Sequence, residues 1–407
     1  MNKKKSPSLR ISGLTPLGAY ASFALLFVGS IFLGPPGVMN SPTVVLRKTA
    51  LHPLHKKLGA RMAEFGGWDM PIEYSGIIQE HLAVRTAAGL FDISHMGEII
   101  IEGPESLRLI QHVTCNDASR LKDEQIQYSA LLTPEGTFVD DILVHRFSAD
   151  RYFLCVNASN AEKDFDWICD QNSFEAEIVY VSDQYSQLAL QGPKALKILQ
   201  PLVNTDLTAI KYYWLKRGKV DDLDCLITRT GYTGEDGFEL YFDPSASEKV
   251  WNLLMDAGSG DGLIPTGLGA RNTLRLEAKM ALYGHEITDQ TTPWEADLAW
   301  VVKLDKGDFV GKEALVKQKG EGIQKKLVGF EMVGKGIGRD GYPVLINGQQ
   351  AGVVTSGGPS PYLKKNIGLA YVPVTHSDLG KEIEIQVRTQ AVPARIVKTP
   401  FYTRPKG

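Results

Sequence analysis

Six short segments rich in β-branched and aromatic residues follow one another after about Lys326, and they constrain the fold more than any other feature of the chain. They read LVGFEM, YPVLI, QAGVVTS, NIGLAYV, EIEIQV and ARIVKT, with Gly, Pro or Asn between them and no helical period. So many short strands in so little chain predict a small closed β-barrel, in which closure removes the unpaired edges, as a separate C-terminal domain. The preceding GKEALVKQKGEGIQKK is polar and basic and reads as a linker.

Upstream the pattern is mixed α and β. A helix is predicted over 77–88, capped at its C-terminus by Gly89. A strand over 97–101 precedes a helix opened by Pro104. Short runs at 126–133, 137–147 and 151–157 predict an antiparallel meander. A helix over 160–169, strands over 185–190, 224–230 and 238–242, a helix begun by a Ser245–Glu248 capping box, and a helix over 268–280 complete the body. The expected organisation is an N-terminal extension over 1–45, an α+β body over 46–320 and the barrel over 326–404.

The extension carries Lys3, Lys4, Lys5 and Arg10 before an apolar run, LGAYASFALLFVGSIFL, that ends at Gly34-Pro35-Pro36. A basic flank before an apolar run fits a signal peptide or a marginal membrane anchor. The favoured expectation is a start assigned too early or a dispensable extension, because Met39 opens a plausible soluble start and the rest has a cytoplasmic character. Lys+Arg numbers 44 against 47 Asp+Glu, a net charge of -3 with the signs well mixed, which argues against a nucleic-acid binder. Cys115, Cys155, Cys169 and Cys225 form no CxxC pair, so buried reduced thiols are expected rather than a zinc site or disulfides.

Asp140 and Asp141 stand inside the apolar run TFVDDILV. Adjacent strand residues point to opposite faces, so one is expected at solvent or a strand edge and the other in the interior or a cleft. In RTGYTGEDGFELY the glycines are expected to serve positive φ angles, since no GK[ST] or GxGxxG is present. Glu239 alternates with apolar residues and could accept two hydrogen bonds from an amino-heterocycle edge. Arg271 and Arg275 share a helix face and suit either a carboxylate-bearing ligand or an internal ion-pair network. His95 and Met96 in FDISHMGE could line a cavity, although a single His without a partner is usually structural.

FDISHMGEI, GTFVDDILV, RTGYTGEDGFEL, GARNTLRLEAKMALYG and VTSGGPSPYLKKNIGLAYV together resemble the aminomethyltransferase family, the T-proteins of the glycine cleavage system. The similarity runs from about Leu46 to Arg404. It implies transfer of the methylene carbon from the S-aminomethyldihydrolipoyl arm of a lipoylated H-protein to tetrahydrofolate, giving 5,10-methylenetetrahydrofolate and ammonia. P-protein and L-protein would act in the same pathway, and no metal and no nucleic acid is expected. The implied architecture is a tripartite folate-binding body, of two interleaved subdomains, plus the barrel.

Carried over by motif, the resemblance makes Asp141 the essential aspartate, Glu239 a pterin-binding glutamate and Arg271 a folate-pocket arginine. Tyr128, Met96, Asn157 and Trp300 fall on folate-channel positions, and Arg404 matches a C-terminal folate contact more loosely. Asp141 is expected to act by charge stabilisation and positioning, because a carboxylate of near-normal pKa is a poor base for an arylamine. Two other functions on this fold are the folate module of sarcosine and dimethylglycine oxidising enzymes and an iron–sulfur maintenance branch. The first needs a flavoprotein domain, for which no dinucleotide fingerprint is present. The second is marked by a KGCYxGQE-type motif, where this chain reads FVGKEAL.

Overall fold

Residues 45–405 are described by a computed structural model, so the apolar run and Met39 lie outside the described residues. Side-chain parity divides the body. An antiparallel sheet is ordered Ile126–Leu132, Phe138–Ser148, Arg151–Val156, Gly97–Glu102 and Glu177–Tyr180. On one face Ile99, Ile101, Val144 and Leu154 are buried with residues of the helices Ser106–Val113 and Ala161–Asp170. A second sheet is ordered Leu215–Val220, Leu223–Thr228, Gly237–Phe242, Ser186–Gln191, Ala88–Asp92 and Leu263–Pro265. Its Leu188, Leu190, Phe238 and Leu240 pack with the helices Ala195–Leu199 and Ser247–Gly258.

The residues of opposite parity join the two sheets. Ile100, Ile126 and Phe153 of the first meet Leu215, Leu226 and Tyr241 of the second. Phe153 and Tyr241 cross edge to face, with ring centroids 5.3 Å apart. Burying side chains of this size is worth about 1.5–3 kcal/mol each, so the seam is a second core, not a crevice between independent halves. Two residues along the same strand faces, Cys155 and Glu239 leave this core and enter a cavity.

Several local expectations change in three dimensions. Gly89 does not cap a helix, because the helix Ile77–Thr86 has ended and Gly89 lies in the strand Ala88–Asp92. A Cβ there would stand 2.4 Å from Thr266 Oγ1 and 2.5 Å from Val84 Cγ2, so close approach rather than backbone conformation selects glycine. Ser245 and Glu248 form no capping box; Asp243 instead accepts from the Ser245 amide at 2.8 Å. The helix over 268–280 stops at Glu277, and Lys279 follows with φ 55°. The stretch read as a linker contains the helix Lys312–Glu321, held by fully buried Leu315 in a cluster with Leu132, Phe138 and Phe309. Cys115, Cys155 and Cys225 are buried as expected, whereas Cys169 is exposed.

The six C-terminal strands close into a barrel in the order Lys325–Met332, Lys365–Pro373, Gln349–Ser360, Pro343–Ile346, Glu382–Val387 and Gln390–Val397. Every pairing between them is antiparallel, and Phe330, Val354, Ala370, Ile385 and Ile396 fill the interior. Arg275, on the body helix Leu268–Glu277, reaches Ser356 Oγ of the barrel at 2.7 Å. Among the described residues no helix is long and apolar enough to cross a membrane.

Candidate active site

The seam opens into a cavity of about 790 Å³ whose walls come from both sheets and from the segment after the helix Leu268–Glu277. Asp141, Tyr128 and Asn157 come from the first sheet and its margin, and Glu239 comes from the second. Met96, Arg271 and Trp300 also line it. Arg404 does not: it is exposed, pairs with Asp236 at 3.3 Å, and stands 5.6 Å over the ring of Tyr212, which does line the cavity.

The aspartate doublet obeys strand alternation, but the member turned away from the cavity does not reach solvent. Asp141 faces the cavity. Asp140 takes the opposite face, where the helix Ala161–Asp170 covers it completely. The expected solvent-facing carboxylate is therefore a buried one, which needs donors. Asn157 supplies them to both aspartates: its amide N donates to Asp140 Oδ2 at 3.1 Å, and its Nδ2 lies 2.9 Å from Asp140 Oδ1 and 2.8 Å from Asp141 Oδ1. Asn160 Nδ2 adds a bond to Asp140 at 2.8 Å, and Tyr128 Oη donates to Asp141 Oδ2 at 2.9 Å. Burial pushes the Asp141 carboxyl up to about 7, helped by the charge of Asp140 and opposed by the bonds from Tyr128 and Asn157. The premise of a near-normal carboxylate does not hold. A group that titrates near neutrality can exchange a proton as well as stabilise charge.

Glu239 is nearly buried and accepts from Thr230 Oγ1, whose own oxygen lies 2.6 Å from Thr228 Oγ1. Burial raises its pKa, with Thr230 and the Arg271 charge pulling the other way. Arg271 stacks 4.4 Å over Tyr232 and, among the described residues, has no carboxylate at ion-pair distance. Burial lowers its proton affinity. A guanidinium so placed has donors to offer a ligand. Its helix neighbour Arg275 has taken the other course, an internal pair with Glu286 at 2.6 Å. Tyr128 and Trp300 stack at 5.7 Å and 23°, and Trp300 remains 59% exposed, so it forms part of the cavity wall that meets solvent. His95 also lines the cavity; burial and Arg271 push its pKa down to about 3, leaving a neutral ring.

The RTGYTGEDG loop uses its glycines differently from the expectation. Gly234 alone of the three has positive φ, 81°, while a Cβ on Gly231 or Gly237 would collide with the side chain of Gln191, at 1.9 and 2.5 Å. Thr230 and Tyr232 in this loop were not singled out in the sequence. The strand register pairing Thr228 with Glu239 is what brings Thr230 to the carboxylate, and no spacing signal announces it. Asp164 was missed although a signal existed. It stands in the buried stripe Ala161–Asp164–Ile168 of its helix, where a carboxylate is out of place.

Comparison with known proteins gives consistent results. A family model described as the GCVT N-terminal domain matches residues 51–306, and one described as the glycine cleavage T-protein C-terminal barrel domain matches residues 325–403. An aminomethyltransferase of Koribacter versatilis is 51% identical over 377 residues, covering 90% of this chain and 99% of that protein. One from Acidobacterium capsulatum is 55% identical over 373 residues, with the same coverages of 90% and 99%. Among solved structures, the glycine cleavage system aminomethyltransferase T of Bartonella henselae aligns with a TM-score of 0.83 at 34% identity, over 88% of this chain and 98% of that one.

Proposed function

The chain belongs to the glycine cleavage T-protein family and is an aminomethyltransferase of that system, and on that premise we propose that its cavity brings tetrahydrofolate against the loaded dihydrolipoyl arm of an H-protein. In the reaction the arm's carbon–sulfur and carbon–nitrogen bonds break while the carbon bonds to two folate nitrogens. Two protons pass from those nitrogens to the departing ammonia and thiol. The observation that carries the reading is a carboxyl in the cavity, Asp141, fixed by Tyr128 and Asn157 across from Glu239 on the second sheet.

Each residue then has work suited to its chemistry. Glu239 accepts hydrogen bonds from the pterin edge, and Met96, Tyr128 and Trp300 give flat or pliable apolar walls to the ring system. Asn157 holds Asp141 and bounds the channel. Arg271 offers donors inside the cavity, while Arg404, above Tyr212, meets the anionic tail at the rim. Asp141 stabilises positive charge that develops on the transferred carbon, in a site that already holds the carboxyl in place. Because it titrates near neutrality, it also accepts a proton released there. The direct test is 5,10-methylenetetrahydrofolate formation from loaded H-protein; an inactive preparation with a competent H-protein would reject the reading.

Two expectations arise at this point. Turnover that needs the Asp141 anion should fall as the pH drops through about 7, because the carboxyl takes up a proton there. A rate independent of pH between about 6 and 8 would separate its charge from the chemistry. Glu239→Gln presents an amide NH₂ to donors that wanted an acceptor. Its tetrahydrofolate dissociation constant should rise at least about tenfold, a cost of about 1.4 kcal/mol, with kcat changed far less. Titration of the apo protein checks this, and unchanged affinity would remove Glu239 from pterin recognition.

A further inference from the structure

Two residues in an unusual backbone conformation meet on the cavity wall. Lys279 and Asp297 both line the cavity, and both are left-handed, with φ 55° and 57°. Lys279 ends the helix Leu268–Glu277 in a tight turn: its amide donates to Leu276 O at 3.0 Å, and the Met280 amide donates to Arg275 O at 2.9 Å. Glycine is the residue such a turn favours, because a Cβ is strained there, so lysine holds this place against the local preference. Aspartate tolerates the conformation better. Left-handed residues other than glycine gather at functional sites, where the surrounding structure holds them.

What the lysine gains there is a partner. Its ammonium donates to Asp297 Oδ2, and its side chain is only 15% exposed. The pair joins two stretches of the wall: 279–283, which follows the helix, and 297–300, which ends on Trp300. Among the described residues it is the one hydrogen bond between those stretches. Ala281 and Tyr283 also share an apolar cluster with Leu298, but apolar contact is non-directional and fixes no orientation. The first stretch has its own anchor, since Ala281 O accepts from Tyr232 Oη, and the Tyr232 ring lies 4.4 Å under Arg271. The second meets one further cation, Lys326 of the barrel, whose Nζ stands 3.6 Å from Asp297 Oδ1.

We propose that Lys279 and Asp297 are positioning residues, whose ion pair fixes Trp300, and with it the Tyr128–Trp300 stack, relative to the helix that carries Arg271. This role rests on the reading of Trp300 as a wall for the folate ring system. With the pair in place, the wall is set before the ligand arrives. Without it, the stretch that ends on Trp300 must be ordered as tetrahydrofolate binds, and that ordering is taken out of the affinity. The chemical step, which belongs to Asp141, is affected far less.

Tetrahydrofolate titrations, melting curves and single-turnover rates with loaded H-protein test this on the full chain. Lys279→Gly suits the turn, so relief of the backbone offsets the lost ion pair, and its Tm should stay within about 2 °C of wild type. Its tetrahydrofolate dissociation constant should nonetheless rise about fivefold, with the rate at saturating folate changed by less than about twofold. Lys279→Arg keeps the charge and should restore wild-type affinity. Asp297→Asn keeps a side chain that accepts the left-handed conformation, and it should weaken binding as Lys279→Gly does. Tighter binding in Asp297→Asn would overturn the proposal, by showing that a freed lysine meets the ligand itself. In a Trp300→Ala background, Lys279→Gly should cost less than about twofold. An undiminished cost there, or unchanged affinity in Lys279→Gly alone, would also overturn it. Trp300→Ala binding as tightly as wild type would instead dismiss Trp300 as a folate wall, and with it the reading on which this role rests.

Discussion

Asp141→Asn is expected to lower turnover by about 10²–10³-fold while tetrahydrofolate affinity stays within a few-fold of wild type. The amide has the shape of the carboxylate; its oxygen can still accept from Asn157 Nδ2 and its NH₂ can donate to the Tyr128 hydroxyl oxygen, so the cavity wall is preserved. What disappears is the anion, in a place where neighbouring groups cannot reorient to replace it. The same change should make the protein more stable at about pH 8. The Asp141 carboxyl binds its proton up to about 7 in the folded chain, against an ordinary 3.8. Between those values the folded state holds more protons than the unfolded one, so stability declines as pH rises, and the full penalty is present above 7. The asparagine variant escapes it, and a higher Tm at alkaline pH would mark a charge kept for function at the expense of stability. Asp140→Asn is the contrasting substitution. It places an NH₂ among the Asn157 and Asn160 donors in a fully buried site, so its main effect should be lost stability, with a smaller loss of turnover. Single-turnover rates, folate titrations and melting curves for both variants decide the matter. Equal and small rate effects at the two positions would mean that the cavity-facing carboxyl is not the one that reacts.

The barrel and the two charged positions inside apolar strands were legible because their signals are local. Alternation of period two between turn residues suffices for the C-terminal strands, and a carboxylate between Val139 and Ile142 declares itself by being out of place. Strand parity also separated Asp140 from Asp141 correctly. It could not foresee that the far face lies under the helix Ala161–Asp170, because that contact joins segments with no shared pattern. Gly89 misled for a related reason: a helix C-cap and a close helix–strand approach both demand a missing side chain, and only the partners Thr266 and Val84 distinguish them. The helix Lys312–Glu321 hid behind its charge, since a single fully buried residue, Leu315, anchors all ten. The division of the body into two sheets rests on Phe153 meeting Tyr241, a pairing that no sequence window contains.

Arg275→Met is expected to destabilise the protein by about 3–5 kcal/mol, the cost of stranding a buried charge. Arg271 and Arg275 have the same helical spacing and the same chemistry, yet their surroundings give them opposite fates. The Arg275 side chain is 1% exposed; it pairs with Glu286 at 2.6 Å, bonds Asn272 Oδ1 at 2.8 Å, and reaches Ser356 of the barrel at 2.7 Å. Glu286 is itself fully buried, and without the arginine its side chain keeps, among the described residues, only the Thr355 hydroxyl at 2.7 Å and the Leu282 amide at 3.0 Å. Two neutral donors do not offset a desolvated carboxylate, so the loss should exceed that of the hydrogen bonds alone. The double substitution Arg275→Met/Glu286→Gln removes the stranded charge and should recover part of the stability, with a coupling of at least about 1 kcal/mol between the sites. Chemical denaturation of the four proteins of this cycle measures it. Additive losses, or a single variant as stable as wild type, would show that the two buried charges are not coupled. Arg271→Met supplies the converse: with no ion pair to break among the described residues, it should unfold at nearly the wild-type midpoint and lose folate affinity. One helix face thus holds an arginine that fastens the fold beside an arginine with no ion pair among the described residues, and only the first should register in unfolding.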